Sequence, residues 1–207
     1  MYQHSKEIKE SGTPLSEAKK AIIMLHGRGA NAEDIMSLAA QLNLSDAAIF
    51  APQATNNSWY PYSFLAPLED NQPALDSALE LIDNTVEKIL AAGVPKNKLY
   101  FLGFSQGACL ALEYTARHAA DYGGVIAFTG GLIGEQLNPD KYSGDFIHTP
   151  VFITTGNPDP HVPLTRVQES VEILEKLNAE VSLRVYNGRP HIIQFQEIDL
   201  ANKLVLF

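Results

Sequence analysis

Short β-prone runs, among them the continuously apolar Ala21–Leu25, alternate with amphipathic stretches along most of this chain. Ala21–Leu25, Ala47–Ala51, Lys98–Leu102, Val125–Phe128, Val151–Thr154 and Val181–Tyr186 are β-prone, and Gly, Pro or polar clusters punctuate them. Runs without polar alternation fit strands buried on both faces, as in parallel sheets. Between them the apolar period lengthens to that of a helix. Asn31 is an N-cap for a helix reaching Leu42. A second helix spans about Pro73 to Ala92, with Leu75, Leu79, Ile82, Val86, Ile89 and Leu90 on one face and Gly93 and Pro95 to end it. Ala108–Tyr114 and about Leu164–Asn178 read as helices, and the tail from about Ile192 to Val205 as a last one. This alternation predicts βαβ units and a mostly parallel central sheet with helices on both faces, built as a single domain over residues 1–207.

One connection is long. Gln53–Gln72 holds Trp59, Tyr60, Tyr62, Phe64 and Leu65, broken by Pro61 and Pro67. A loop of this length in a compact domain is usually functional. It reads equally as irregular packing on the sheet rim and as a wall of a substrate site.

Composition narrows the function classes. The chain is 45% hydrophobic and 19% charged, enough for a substantial core. A net charge of -9 disfavours nucleic acid and anionic lipid as partners, and leaves a neutral small molecule open. The single cysteine, Cys109, rules out an internal disulfide and any Cys-rich metal site, and its place on a buried helix suits a core residue. The N-terminal segment lacks the basic, apolar character of a secretory leader, and no apolar run approaches a membrane span. A cytoplasmic protein without integral membrane association is therefore expected, with a homodimer left open. No His, Asp or Glu cluster has metal-ligand spacing, and Gly27-Arg28-Gly29 lacks the rest of a phosphate fingerprint, so no metal or cofactor is expected.

The chemistry concentrates at Gly103-Phe104-Ser105-Gln106-Gly107. The pentapeptide follows a predicted strand and opens a predicted helix, the arrangement of the nucleophile elbow of α/β-hydrolases. A serine hydroxyl needs a base, and the base needs a partner that fixes its tautomer. In that fold the order along the chain is Ser, then Asp or Glu, then His, each after a strand. His148 precedes a strand and falls at the wrong sheet edge. His161 follows one, but too early if Asp159 is the acid. His191, after the last strand, satisfies both order and edge, so it is the favoured base, with His161 the remaining alternative. Asp159, between Pro158 and Pro160, is the favoured acid over Asp140 and Asp145, which precede the strand. Oxyanion donors are expected from the backbone N–H of Gln106 and from that of Arg28, in the glycine-flanked loop after the first predicted strand. The Arg28 side chain is solvated, paired, or turned toward an anionic substrate. Gly27, Trp59 and Tyr60 are the candidate substrate contacts.

Four blocks in this order, Leu25–Gly29, Gly103–Ala108, Asp159–Pro163 and the late His191, resemble the phospholipase/carboxylesterase family, which includes acyl-protein thioesterases and small bacterial carboxylesterases. The resemblance covers about residues 20–195. It implies an α/β-hydrolase fold without a large cap domain. It also implies Ser105, Asp159 and His191 as triad, and amides of Arg28 and Gln106 as oxyanion donors. Ser58-Trp59-Tyr60 resembles the family's Ser-Trp-Phe block near the acyl pocket. The chain departs from the pattern at Arg189-Pro190 before the histidine, at Tyr60-Pro61-Tyr62, and at Asn157-Pro158. The expected activity is hydrolysis of carboxylic esters with small or medium acyl chains. Alternatives are a lysophospholipase or acyl-protein thioesterase, and a non-catalytic binding module of the same fold.

Overall fold

A computed structural model describes residues 2–207. Its centre is one seven-stranded sheet formed by β1 (Ile8–Gly12), β2 (Lys20–Leu25), β3 (Ala47–Pro52), β4 (Leu99–Phe104), β5 (Gly124–Phe128), β6 (Pro150–Asn157) and β7 (Glu180–Asn187). The order across the sheet is β1-β3-β2-β4-β5-β6-β7. All neighbours pair in parallel except β1, which runs antiparallel to β3 along one edge. The six β-prone runs of the sequence are the six parallel strands. β1 lies outside that reading because Ile8-Lys9-Glu10-Ser11-Gly12 carries a single apolar residue; it joins the sheet through backbone pairing, not burial.

Among the described residues, six α-helices connect or flank the strands: α1 (Ala32–Met36), α2 (Leu68–Asn71), α3 (Ala74–Ala91), α4 (Gln106–Arg117), α5 (Leu164–Lys176) and α6 (Phe195–Leu204). Asn31 caps α1 as its side chain predicts, in a reciprocal box with Asp34. The α-helix expected to reach Leu42 ends at Met36, and Ser37–Gln41 continues as a 3-10 turn. Alternating strand residues feed two apolar layers. Ala21, Ile23 and Leu25 face one side with Leu75, Ile82 and Ile89 of α3, Leu110 and Leu112 of α4, and Val167 and Leu174 of α5. Ile22 and Met24 face the other with Ala32 and Ile35 of α1 and Ile198 and Ala201 of α6. The sheet is thus covered on both faces, as its continuously apolar inner strands require, and among the described residues no large cap sits above it.

The chain moves from β2 outward to β3 and returns to β4 on the far side of β2. Loops leaving the carboxyl ends of β2 and β4 therefore diverge and open a crevice between them. Ligands of open α/β sheets bind in such a crevice.

Candidate active site

Ser105 stands between the end of β4 and the first turn of α4. Its backbone has φ 53° and ψ -117°, a conformation rarely adopted by a residue with a side chain and typical of strained functional turns. The turn closes because its glycines carry no Cβ. A Cβ on Gly103 would meet the Gly107 carbonyl oxygen at 2.2 Å, and one on Gly107 would meet the Leu25 carbonyl oxygen at 2.1 Å. The Ser105 N–H donates to the Phe128 carbonyl at 3.0 Å, which ties the elbow to the end of β5.

The structure brings Ser105, His191 and Asp159 into one hydrogen-bonded chain. His191 Nδ1 lies 2.8 Å from Asp159 Oδ2, and His191 Nε2 lies 2.8 Å from Ser105 Oγ. An ionised carboxylate only accepts, so Nδ1 carries the proton and the Nε2 lone pair faces the serine hydroxyl. The other oxygen of Asp159 accepts from the backbone N–H groups of His161 and Val162, both at 2.9 Å. Burial pushes the Asp159 carboxyl up, but the bonds from His191, His161 and Val162 outweigh it and hold the group below its ordinary value. The rings of Phe104 and His161 pack against the His191 imidazole, with centroids 5.2 and 5.0 Å away. His161, the alternative base, touches His191 rather than Ser105.

Gln106 begins α4, and Arg28 follows β2 across the crevice. The backbone N–H groups of both donate to no acceptor among the described residues. Gly27 lies against the elbow, where an added Cβ would sit 3.5 Å from that of Ser105. These amides at the N-terminus of a helix and in a glycine-flanked loop are suited to meet an oxygen that gains negative charge.

A cavity of about 630 Å³ opens over Ser105 and His191. Tyr60, Pro61, Tyr62, Phe64 and Leu65 of the long loop form one side, and Phe104, Val162 and Pro163 contribute apolar surface elsewhere. Gly27, Arg28 and Tyr60 all line it. Trp59 does not: it is fully buried, and its indole N–H donates to the His26 carbonyl at 2.9 Å. Its part is that of a post behind the wall. Cys109 reaches the cavity floor but is almost fully buried, and burial pushes its thiol up to about 12.

The side chains of Gln106 and Arg28 make contacts of their own. Gln106 Oε1 accepts from the Trp59 N–H at 3.0 Å, and its Nε2 donates to the Tyr60 carbonyl at 2.8 Å. Arg28 donates to Ser58 Oγ at 3.0 Å and to the carbonyls of Pro61, at 2.8 Å, and Tyr62. The guanidinium is therefore engaged with the loop. Residues without a sequence signal complete the clamp. His4 Nε2 bonds the Trp59 carbonyl at 2.9 Å, and buried Asn71 accepts from the Tyr62 N–H and donates to the Ser63 carbonyl, both at 2.9 Å. His26 donates from Nδ1 to the Gly27 carbonyl at 2.8 Å and accepts at Nε2 from the Ala54 N–H at 3.1 Å. Burial holds its pKa below the ordinary value, as suits a neutral structural imidazole.

Among the described residues, no group of three or more His, Cys, Asp or Glu side chains is arranged to hold a metal. Among the same residues, no helix is long and apolar enough to cross a membrane.

Residues 6–205 match the family described as Phospholipase/Carboxylesterase. The chain is similar to acyl-protein thioesterase 1 of Saccharomyces cerevisiae, 27% identical over 215 residues that cover 91% of this chain and 92% of that one. Among solved structures it is similar to a phospholipase/carboxylesterase from Dyadobacter fermentans, with 63% identity, coverage of 100% of this chain and 99% of that one, and a TM-score of 0.98. The esterase PE8 shares the fold at 22% identity, with coverage of 98% and 97% and a TM-score of 0.81.

Proposed function

Because this chain belongs to the phospholipase/carboxylesterase family of hydrolases, we propose that it cleaves carboxylic esters of small or medium acyl chains through a Ser105–His191–Asp159 triad. His191 Nε2 takes the Ser105 proton as Oγ attacks the ester carbonyl. Asp159 keeps the imidazole in the productive tautomer and stabilises the imidazolium without taking its proton. The Arg28 and Gln106 amides hold the oxyanion. Collapse of the tetrahedral intermediate expels the alcohol, which receives its proton from His191, and leaves an acyl group on Ser105. Water, deprotonated by the same imidazole, then releases the acid. Each step uses a proton or a donor that this chain supplies.

The observation that carries the reading is the pair of 2.8 Å contacts that run from Ser105 through His191 to Asp159. A walled cavity of about 630 Å³, with Tyr60, Tyr62, Phe64 and Phe104 in its lining, supports a small or medium substrate, since small-molecule sites typically measure about 300–1,000 Å³. Ser105→Ala is expected to abolish turnover of p-nitrophenyl butyrate and labelling by a fluorophosphonate while the fold persists. Near-wild-type turnover in that variant overturns the mechanism. In an acyl series from acetate to palmitate, kcat/KM is expected to peak at short or medium chains; a maximum at palmitate favours a long-chain lysophospholipase or acyl-protein thioesterase instead.

A further inference from the structure

Arg189 stands two residues before His191, and its side chain is only 1% exposed. A guanidinium taken out of water is costly unless its donors are met. Here they are turned back onto the loop that carries the base. Nη1 donates to the carbonyls of Pro190 and Ile192, the residues on either side of His191. Nη2 donates to Thr129 Oγ1 at 2.6 Å, just beyond the end of β5. The Glu197 carboxylate, fully buried in the first turn of α6, lies 3.7 Å from Nη1 and accepts from the Gln194 N–H at 2.8 Å. One planar group thus holds both peptide carbonyls that flank the imidazole, and is itself held from β5 and α6.

The same loop is fastened to the acid loop. The Gly188 N–H donates to the Asn157 carbonyl at 3.0 Å. The Arg189 carbonyl approaches Gly156 so closely that a Cβ there would meet it at 2.7 Å.

Stability alone gives a poor account of this arrangement. A buried ion pair is often matched or exceeded by apolar residues of similar volume. This one also leaves Arg189 Nε and Glu197 Oε1 without a partner. An apolar side chain, however, has no donors with which to hold the Pro190 and Ile192 carbonyls. Those two contacts are what the charged residue provides.

We propose that Arg189, supported by Thr129 and Glu197, is the positioning residue that fixes His191 between Asp159 and Ser105. The inference rests on His191 being the base. Misplacing a reacting group by about 1 Å can cost on the order of a hundredfold in rate.

The test pairs Arg189→Met/Glu197→Gln, which removes both charges and retains an amide to cap α6, with Thr129→Ala and Thr129→Ser. Readouts are kcat and KM for p-nitrophenyl butyrate, the thermal midpoint, and the downfield proton resonance of His191 Nδ1–H. The double variant is expected to lose about tenfold to a hundredfold in kcat with KM within about twofold, and to lose or broaden that resonance while its thermal midpoint stays near wild type. Thr129→Ala is expected to lose several-fold in kcat, and Thr129→Ser to restore it. A folded double variant with wild-type kcat and resonance overturns the proposal. Should the double variant fail to fold, wild-type kcat in Thr129→Ala overturns it equally. Full turnover in His191→Ala is a different failure: it removes the base itself, and with it the reading on which this inference depends.

Discussion

Gly107→Ala is the sharpest test of how this site is assembled, because it adds one carbon where two functional loops meet. That carbon would lie 2.1 Å from the Leu25 carbonyl oxygen, 2.5 Å from the Leu25 carbonyl carbon and 2.6 Å from the His26 oxygen. All three are backbone atoms, so no side chain can rotate away. Ordinary contact begins near 3.4 Å, so the first turn of α4 and the end of β2 must separate by about 1 Å. Leu25 is held in register opposite Gly103 of β4, which concentrates the movement in α4 and in the loop through His26 to Arg28. Gln106 lies on one side of that gap and Arg28 on the other. The substitution therefore pulls apart the two amides proposed to hold the oxyanion. Overpacking of this kind costs about 1–3 kcal/mol of stability, and the loss of one oxyanion donor costs about a hundredfold or more in kcat. Gly93→Ala is the control: its φ is 97° and nothing lies within 4 Å of the added carbon, so strain is introduced far from the site. Gly93→Ala is expected to keep wild-type kcat on p-nitrophenyl acetate with a modest loss of thermal midpoint. Gly107→Ala is expected to lose both kcat and several degrees. A Gly107→Ala enzyme with kcat within twofold of wild type and an unchanged midpoint refutes the reasoning.

Gln106→Leu keeps the backbone donor but leaves the Trp59 N–H and Tyr60 carbonyl unpaired, at about 1–3 kcal/mol for each buried group; KM should rise more than kcat falls, and a pure kcat defect in steady-state kinetics argues against a wall-holding role. Cys109, its thiol pushed up to about 12 by burial, should resist iodoacetamide at pH 8 in the folded protein and react fully in denaturant, as read by mass spectrometry. Asp159 is held below its ordinary carboxyl value, so folding favours its ionised form. Its contribution is present above the unfolded value and is lost as pH falls through the folded one. The stability difference between wild type and Asp159→Asn should therefore shrink toward acid in urea titrations, and a difference independent of pH contradicts the assignment.

The parts of the fold legible in sequence are those governed by local pattern. Ala21–Leu25 or Val125–Phe128 has to be a buried strand because no amphipathic alternative exists for so short an apolar run. That Ser105, Asp159 and His191 would meet was legible because each follows a strand, and parallel strands bring their carboxyl ends to one edge. What escaped depends on contacts between distant positions. Trp59 looked like a surface of the substrate site because it is an aromatic residue in a loop. Its burial is decided by the His26 carbonyl and the Gln106 side chain, 33 and 47 residues away along the chain. Asn71, His4, Arg189 and Glu197 are polar residues of the kind found on any surface, and only the folded chain shows each inside it.

Those distant contacts decide how the cavity works. The long loop has the length and aromatic content of a lid, yet its backbone is met at Trp59, Tyr60, Pro61, Tyr62 and Ser63 by side chains from three other segments and by its own Asn71. To open, it would have to expose several of these buried polar groups at once, each at about 1–3 kcal/mol. Gln106 makes the point most directly. Its side chain holds the wall, while its backbone N–H, one residue from Ser105, is the proposed oxyanion donor. Wall and elbow are thus referred to the same residue on the same helix. If the chain acts as proposed, discrimination among acyl groups would then rest on the shape of a preformed cavity rather than on closure around the substrate. This is why a change in acyl length should alter kcat/KM without introducing a slow conformational step.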